Sequence, residues 1–249
     1  MATNQELSEK GNGRPLTEFS LVALARVFRC FTEPRNVFGE IAQKPTVVWV
    51  MALTVALTVG VQLVLRPRID MEATIARSLQ KGGREVSEQQ LQEAVKAGER
   101  FRSLGVVMAP LGALAVTVLL GGVYFLGLKV VGSETEYLRV LSAVAHAGFP
   151  PSAVQSLFIS IVASNRPPFP AQEIPRLVKS NVAAFLPADA PKALVGLGQV
   201  LDIFNVWYWV LLAWALAAVG GVPARKAAGV VAVCWGFWAL LQMALAFLR

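Results

Sequence analysis

The chain has 249 residues, of which 55% are hydrophobic and only 16% are charged, and its mean hydropathy is +0.55. Because a soluble globular domain carries about 25% charged residues, this composition excludes an ordinary soluble fold and indicates a membrane protein. The net charge of +7 fits basic loops that face anionic lipid headgroups, and no nucleic-acid-binding module is recognisable, so we expect no nucleic-acid partner.

The N-terminal part precedes the first apolar stretch that could span a bilayer. Residues 1–16 are polar, which predicts a disordered tail. Residues 17–45 predict amphipathic helices on the cytoplasmic side, the second of which is capped by Thr32 or Glu33 and has Pro34 in its first turn. The first of these helices carries two arginines beside an apolar stripe. It either lies in the membrane interface or docks on the protein's own helices, and we favour the interface.

Five stretches without Asp, Glu, Lys or Arg follow, and each is long enough to cross a bilayer, which takes about 20 residues. They lie at about 46–65, 104–128, 140–165, 203–222 and 227–248. We therefore predict an all-α, polytopic membrane protein in which residues 46–249 form one membrane domain, a bundle of five transmembrane helices.

Two polar stretches separate these spans. Residues 66–103 contain eight basic and six acidic side chains, which nearly cancel, and Ser87 and Gln90 have the spacing of a capping box at a helix start. We predict an extracytoplasmic helical hairpin that forms a solvated cap, with its second helix continuing into the second span. Residues 164–192 are rich in proline and predict one short amphipathic helix, followed by a helix that continues through Asp202 into the fourth span.

The third span is predicted to be broken in its middle. It contains a Gly-Phe-Pro-Pro run that ends in Pro150 and Pro151, and neighbouring helices must cover the backbone groups that such a break leaves free. The only histidine, His146, lies four residues after Ser142 on the same helix face. An ionisable group inside a span is a functional hypothesis, but a neutral imidazole that hydrogen-bonds to a neighbouring helix is the simpler, structural interpretation.

The entrance of the fourth span carries a second group of polar and aromatic residues. Asp202 is followed by Asn205 and Trp207, a pattern typical of an interfacial acid and an aromatic belt. Alternatively, the acid reaches His146 or a polar headgroup inside the bundle. The candidate binding residues are therefore Ser142, His146, Pro150, Pro151, Asp202, Asn205 and Trp207.

The sequence contains no recognisable catalytic or metal-binding motif. We find no phosphate-binding loop, zinc-protease motif or serine-hydrolase motif. One histidine and two isolated cysteines do not make a zinc site. We therefore expect no enzyme activity, no catalytic residue, no metal and no cofactor. A membrane enzyme that uses His146 is the weakest of our hypotheses.

Three stretches together resemble the Yip1 domain family, in its bacterial branch. They are PRNVFGEIAQKP at 34–45, LSAVAHAGFPP at 141–151 and LDIFNVW at 201–207, and their order and spacing relative to the spans fit the family. The resemblance implies a five-span fold with a cytoplasmic N-terminus. Eukaryotic members resemble membrane-trafficking factors that bind Rab-type GTPases, whereas bacterial members have no agreed activity. The short N-terminal part and the long insert of this chain do not favour GTPase binding.

The distribution of basic residues bears on orientation. With the N-terminus in the cytoplasm, the cytoplasmic segments hold 10 Lys and Arg and the extracytoplasmic segments hold 13, so a raw count favours the opposite orientation. The cytoplasmic loops are nevertheless short and basic, and the first polar insert is long. Together with the resemblance, this predicts a multi-pass protein of the bacterial inner membrane with its N-terminus in the cytoplasm.

Two functional hypotheses follow. The first is an integral membrane protein that acts by interaction in the membrane, with lipids, with other membrane proteins or with a second copy of itself. It would use the bundle around the third span. The alternative is a small solute transporter or a lipid-moving protein in which Ser142, His146 and Asp202 line a polar path at that span.

Overall fold

The computed structural model describes residues 16–81, 87–187 and 190–247. The predicted tail, apart from Leu16, therefore lies outside the described residues. Within them the chain forms the helices α1 (Leu16–Arg29), α2 (Pro34–Gln43), α3 (Val48–Leu65), α4 (Met71–Lys81), α5 (Glu88–Val130), α6 (Tyr137–Ser164), α7 (Lys192–Val200), α8 (Ile203–Gly220) and α9 (Ala224–Phe247). Short 3₁₀ turns lie at Arg66–Arg68, Ala171–Arg176 and Val182–Phe185.

Five of the described helices, α3, α5, α6, α8 and α9, are long and apolar enough to cross a membrane. They confirm the predicted all-α bundle of five spans. Helix α5 begins well before the predicted second span, because the second helix of the polar insert continues into it as expected. Its 43 residues give a length of roughly 64 Å, about twice the ~30 Å hydrocarbon core, so one end of α5 must extend beyond the bilayer.

Helix α6 lies at the centre of the bundle and packs against α3, α5 and α8. Its small residues Ala143 and Ala147 belong to one buried cluster with Leu212 and Leu216 of α8. Gly121 of α5 permits close approach to α6, since a Cβ there would lie only 3.1 Å from the Leu141 side chain. Lipid is as apolar as these side chains, so close packing between small residues holds the helices together.

The prediction of a break in the third span is wrong, because α6 is one continuous helix through Pro150 and Pro151. The two prolines have no N–H, so the carbonyls of His146 and Ala147 lose their partners within the helix. Both prolines are buried, as is Phe149. Neighbouring helices therefore enclose this segment, and the helix can continue where contact with lipid alone would not permit it.

The helix is interrupted instead at the entrance of the fourth span. The predicted continuous helix through Asp202 is wrong, because α7 ends and α8 begins on either side of Leu201 and Asp202. The backbone N–H of Ile203 donates to the Ser180 carbonyl at 3.0 Å, and that of Val182 donates to the Leu201 carbonyl at 3.1 Å. These bonds to a crossing loop replace the helical hydrogen bonds that a continuous helix would have made.

The proline-rich stretch also differs from its prediction. In place of one short amphipathic helix, the described part of residues 164–192 holds two 3₁₀ turns. Pro175 lies inside the first turn, and a proline within a helix removes a backbone donor and clashes with the preceding turn.

We call the end of the bundle that carries α1 and α2 the near side, and the opposite end, with α4, the start of α5 and residues 165–202, the far side. On the near side α1 is docked on the bundle, because Ala23, Val27 and Cys30 are buried. Its opposite face leaves Leu21 66% and Phe28 56% exposed. The buried face of α1 therefore agrees with the alternative that this helix docks on the protein's own helices. Contact of its exposed face with the membrane interface stays a prediction.

On the far side the polar insert forms the predicted helical hairpin from α4 and the start of α5, which pack together. Ser87 and Gln90 form the expected capping box. The hairpin is also tied to the proline-rich stretch, because the N–H of Asp70 donates to the Phe169 carbonyl at 2.9 Å and Arg77 pairs with Glu173 at 2.9 Å. The insert is therefore part of a continuous far-side layer. Its extracytoplasmic location stays a prediction.

Candidate functional site

Ser142 joins α6 to the segment that precedes α3. Its Oγ donates to the Thr46 carbonyl at 3.0 Å and accepts from the Thr46 N–H at 3.1 Å. Both residues are buried, Ser142 completely. Since Thr46 precedes α3 and its backbone groups are away from water, this side chain satisfies two groups that would otherwise be unpaired. The contact indicates a structural role for Ser142.

His146 is fully buried one helical turn along α6. Its Nδ1 lies 2.8 Å from the Ser142 carbonyl oxygen, and because a carbonyl can only accept, Nδ1 must carry the proton. Nε2 has no hydrogen-bond partner among the described residues, and the same holds for the Thr46 hydroxyl. The histidine therefore shares a helix face with Ser142, as predicted, but it is enclosed by the bundle.

Asp202 caps the N-terminus of α8. Its Oδ1 accepts from the Phe204 N–H at 2.8 Å, and its Oδ2 accepts from the Ser180 hydroxyl. The residue is only 6% exposed. Among the described side chains, none of the ion pairs that are found includes this carboxylate.

The structure does not bring Asp202 and His146 together. No hydrogen bond joins them, since Nε2 of His146 is unpaired and its Nδ1 faces Ser142. Asp202 lines the same pocket as Gln155 of α6, which lies about 13 Å farther along the helix axis than His146 at the usual rise per residue. The two ionisable groups therefore lie at different depths in the bundle.

A cavity of about 280 Å³ lies between α3, α5, α6 and α8. Its walls are mostly apolar, with Leu57, Leu114 and Phe149 among them. The hydroxyls of Thr54 and Thr117 donate to carbonyls of their own helices at 2.8 and 2.9 Å. We call this space the apolar cavity. It is not closed, because Val116 at its edge is 55% exposed.

A second cavity of about 190 Å³ lies at the far-side end of α6 and α8. We call it the polar pocket, because six of its lining residues carry amide, hydroxyl or carboxylate groups: Gln155, Ser180, Asn181, Gln199, Asp202 and Asn205. Apolar side chains of Ile159, Ile174, Pro175 and Val178 also line it. No lysine or arginine is among the described residues that line it.

Two residues, Gln155 and Asn205, line both spaces. The Asn205 amide donates to the Val200 carbonyl at 3.3 Å. No hydrogen bond to the Gln155 amide is found within the described part of the chain. The two cavities therefore adjoin at these two amide side chains. Their lining changes from polar at the far-side end of the bundle to mostly apolar toward its interior.

The residues predicted from the sequence are thus divided between different environments. Asn205 lines both cavities, Pro151 lines the apolar cavity and Asp202 lines the polar pocket. Ser142, His146 and Pro150 are buried and line neither space. Trp207 lines neither cavity and packs edge-on against Phe31, at the turn between α1 and α2, with ring centroids 6.4 Å apart.

Sequence reasoning missed Gln155, Ser180, Asn181 and Gln199. An amide inside an apolar span was a usable signal for Gln155, because such a group needs a polar partner in the membrane. Nothing in the sequence marked Ser180, since its position depends on how the far-side loop folds over α8. Within the described residues, no group of three or more His, Cys, Asp or Glu could hold a metal ion.

A separate charged cluster joins α1 to α2 on the near side. Arg26 and Arg29 each donate to the Glu40 carboxylate at 2.8 Å, and Arg26 also donates to the Lys44 carbonyl at 3.0 Å. Partial burial would raise the pKa of Glu40, but the hydrogen bonds from the two arginines outweigh it and hold that pKa below its ordinary value. Burial raises the pKa of the Cys30 thiol to about 12. This cluster joins α1 to α2, and we call these two helices the near-side layer.

Comparison with known proteins agrees with this architecture. The family model of the Yip1 domain matches residues 28–246. The chain is 28% identical over 231 residues to a membrane protein of Bacillus subtilis (strain 168), YknW, and the match covers 90% of this chain and 88% of that protein. No solved structure matches the chain.

Proposed function

The chain belongs to the Yip1 domain family, and from this premise we propose that it is a lipid-binding integral protein of the bacterial inner membrane. In this proposal it takes up an amphiphilic molecule from the surrounding bilayer, catalyses no reaction and needs no cofactor. Its N-terminus lies in the cytoplasm, so the far side faces outward. Membrane lipid is its partner, and nucleic acid is not.

The observation that carries this proposal is the change of polarity where the two cavities meet at Gln155 and Asn205. A membrane lipid has the same arrangement, with a polar headgroup at the membrane surface and acyl chains toward the interior. Small-molecule sites are mostly apolar with a few polar groups that fix the orientation of the ligand. The apolar cavity, at about 280 Å³, suits part of one acyl chain, and the rest of the lipid would remain in the bilayer.

The packing of α6 between the cavities and the near side of the bundle favours lipid binding over passage of a molecule across the membrane. Residues of this part of the helix, among them Val140, Ala143 and His146, are completely buried. The hydrogen bonds between Ser142 and Thr46 hold α6 against the start of α3. A polar path through His146 and Asp202 would need these contacts to open, so the transporter alternative receives no support from the packing.

Native mass spectrometry of the full chain, extracted in a mild detergent, tests the proposal. We expect a lipid-bound species, and we expect the variant Ala113→Phe to lose it, because Ala113 lines the apolar cavity and the larger ring would fill that space. The matched control is Ala115→Phe. Ala115 lies on the same helix, is exposed and does not line the cavity, so this variant should keep the lipid.

Thermal unfolding of both variants shows whether they remain folded. A folded wild-type protein that carries no lipid, or equal lipid occupancy in the two variants, would contradict the proposal.

A further inference from the structure

The polar pocket contains a buried carboxylate that the fold leaves with spare hydrogen-bonding capacity. Asp202 accepts one hydrogen bond on each carboxylate oxygen, from Phe204 and Ser180. An ionised carboxylate offers about four acceptor sites, so the described part of the chain leaves about two of them unused. A buried charge is costly unless it is paired, and none of the described residues that line the pocket has a cationic side chain.

The neighbouring groups favour a donor-rich, positively charged ligand. Amides of Gln155, Gln199 and Asn205 line the same pocket, and their oxygens can accept hydrogen bonds. A primary ammonium group has one positive charge and three donors, which matches a carboxylate surrounded by amide oxygens. An anionic headgroup would face the Asp202 carboxylate, and the part of the wall that the structure describes has no lysine or arginine to offset the repulsion.

The lining also argues against a quaternary ammonium group. Such a group has no N–H to donate, and proteins usually recognise it with aromatic rings that surround the cation. Of the lining residues that the structure describes, none is Phe, Tyr or Trp. Its volume of about 190 Å³ also suits a compact group.

We propose that the polar pocket is a recognition site for a primary-amine lipid headgroup, of the phosphoethanolamine type, with Asp202 as the specificity-determining residue. This inference rests on the proposed lipid-binding function. The ammonium group would donate to the free acceptor sites of Asp202, and the first part of an acyl chain would enter the apolar cavity past Gln155 and Asn205. A free amine presents the same ammonium group but cannot fill the apolar cavity.

The test measures headgroup preference with the full chain in detergent. Phosphatidylethanolamine, phosphatidylcholine and phosphatidylglycerol with identical acyl chains are titrated in turn and followed by native mass spectrometry. We expect the first lipid to bind at least about tenfold more tightly than the other two, since only it brings a positively charged hydrogen-bond donor to the Asp202 carboxylate. Phosphatidylcholine has no N–H, and phosphatidylglycerol has hydroxyl donors but a net negative charge. Soluble glycerophosphoethanolamine, which lacks the acyl chains, should not compete at the same concentrations.

The variant Asp202→Asn tests whether the negative charge of this residue, as distinct from its helix-capping role, sets the headgroup preference. Asparagine keeps a side-chain oxygen for the helix cap, so we expect a folded protein in which the three lipids bind within about threefold of one another. Asp70→Asn is the matched control, because Asp70 caps α4 through the Ala73 N–H at 2.9 Å on the same side but does not line the pocket. It should keep the wild-type preference.

The outcomes distinguish this inference from the proposed function. If the wild type binds all three lipids equally, or if Asp202→Asn keeps the preference for the amine, the inference is wrong and lipid binding stands. If the soluble headgroup competes as well as the lipid, the site recognises free amines and the lipid assignment is wrong. If the folded wild type binds no lipid at all, the proposed function and the inference both fail.

Discussion

Ser142 and Thr46 exchange two hydrogen bonds through one side chain, because the serine hydroxyl accepts from the Thr46 N–H and donates to its carbonyl. The two residues lie far apart in sequence, and the contact fixes the start of α3 to the central helix α6. It makes the buried hydroxyl of Ser142 a part of the scaffold.

The variant Ser142→Ala should therefore destabilise the protein. It leaves two buried backbone groups of Thr46 unpaired, at a cost of about 1–3 kcal/mol. For a chain of this size each kcal/mol lowers Tm by about 2–4 °C. Thermal unfolding in detergent measures the effect, with Ser160→Ala as the control, because Ser160 lies on the same helix and is partly exposed. Equal Tm values for the two variants would show that the contact contributes nothing.

His146→Leu tests whether the histidine is structural. Leucine has a similar volume and removes the unpaired Nε2 atom, so we expect a change in unfolding free energy below about 1.5 kcal/mol. Because His146 lines neither cavity, lipid occupancy in native mass spectrometry should not change. A folded variant that had lost its lipid would show that His146 contributes to binding and would support the polar-path hypothesis.

The near-side layer should loosen at low pH. The pKa of Glu40 lies below its ordinary value of 4.5, so its contribution to stability is fully present above that pH and is lost as the pH falls through the lower folded-state pKa. Glu40 is 33% exposed, so solvent screening limits the effect to about 1 kcal/mol. Glu40→Gln should remove this pH dependence, and Glu33→Gln, at the more exposed partner of Arg29, should retain it.

The reactivity of Cys30 measures whether the near-side layer is intact. Burial raises the pKa of its thiol to about 12, and the thiolate is the reactive form. In a Cys234→Ala background, maleimide labelling at pH 7 should be slow. Labelling should become faster when Glu40→Gln is added. An unchanged rate would mean that the Glu40 pairs do not hold α1 in place.

The orientation can be tested with single cysteines in a background that lacks Cys30 and Cys234. We expect Glu93→Cys, on an exposed far-side position of α5, to react with a membrane-impermeant maleimide added outside spheroplasts. Arg225→Cys, exposed at the near-side start of α9, should react only after the membrane is opened. The reverse pattern would place the N-terminus outside and would agree with the raw count of basic residues.

The sequence by itself determined the features that depend on local composition. Apolar length predicted the five spans, since crossing a hydrocarbon core needs about 20 such residues wherever they lie. The spacing of Ser87 and Gln90 predicted the start of α5, because a capping box is made within one turn. The shared face of Ser142 and His146 likewise followed from helical periodicity.

Only the tertiary structure decided where the helices are interrupted and which polar groups meet. The Gly-Phe-Pro-Pro run breaks helices in isolation, yet α6 continues through it because neighbouring helices enclose Pro150 and Pro151. The chain is interrupted before α8 instead, since the backbones of Ser180 and Ile203 pair across a loop. The same folding brings Gln155 and Asp202 to one pocket. Such contacts join residues distant in the chain, and no local pattern specifies them.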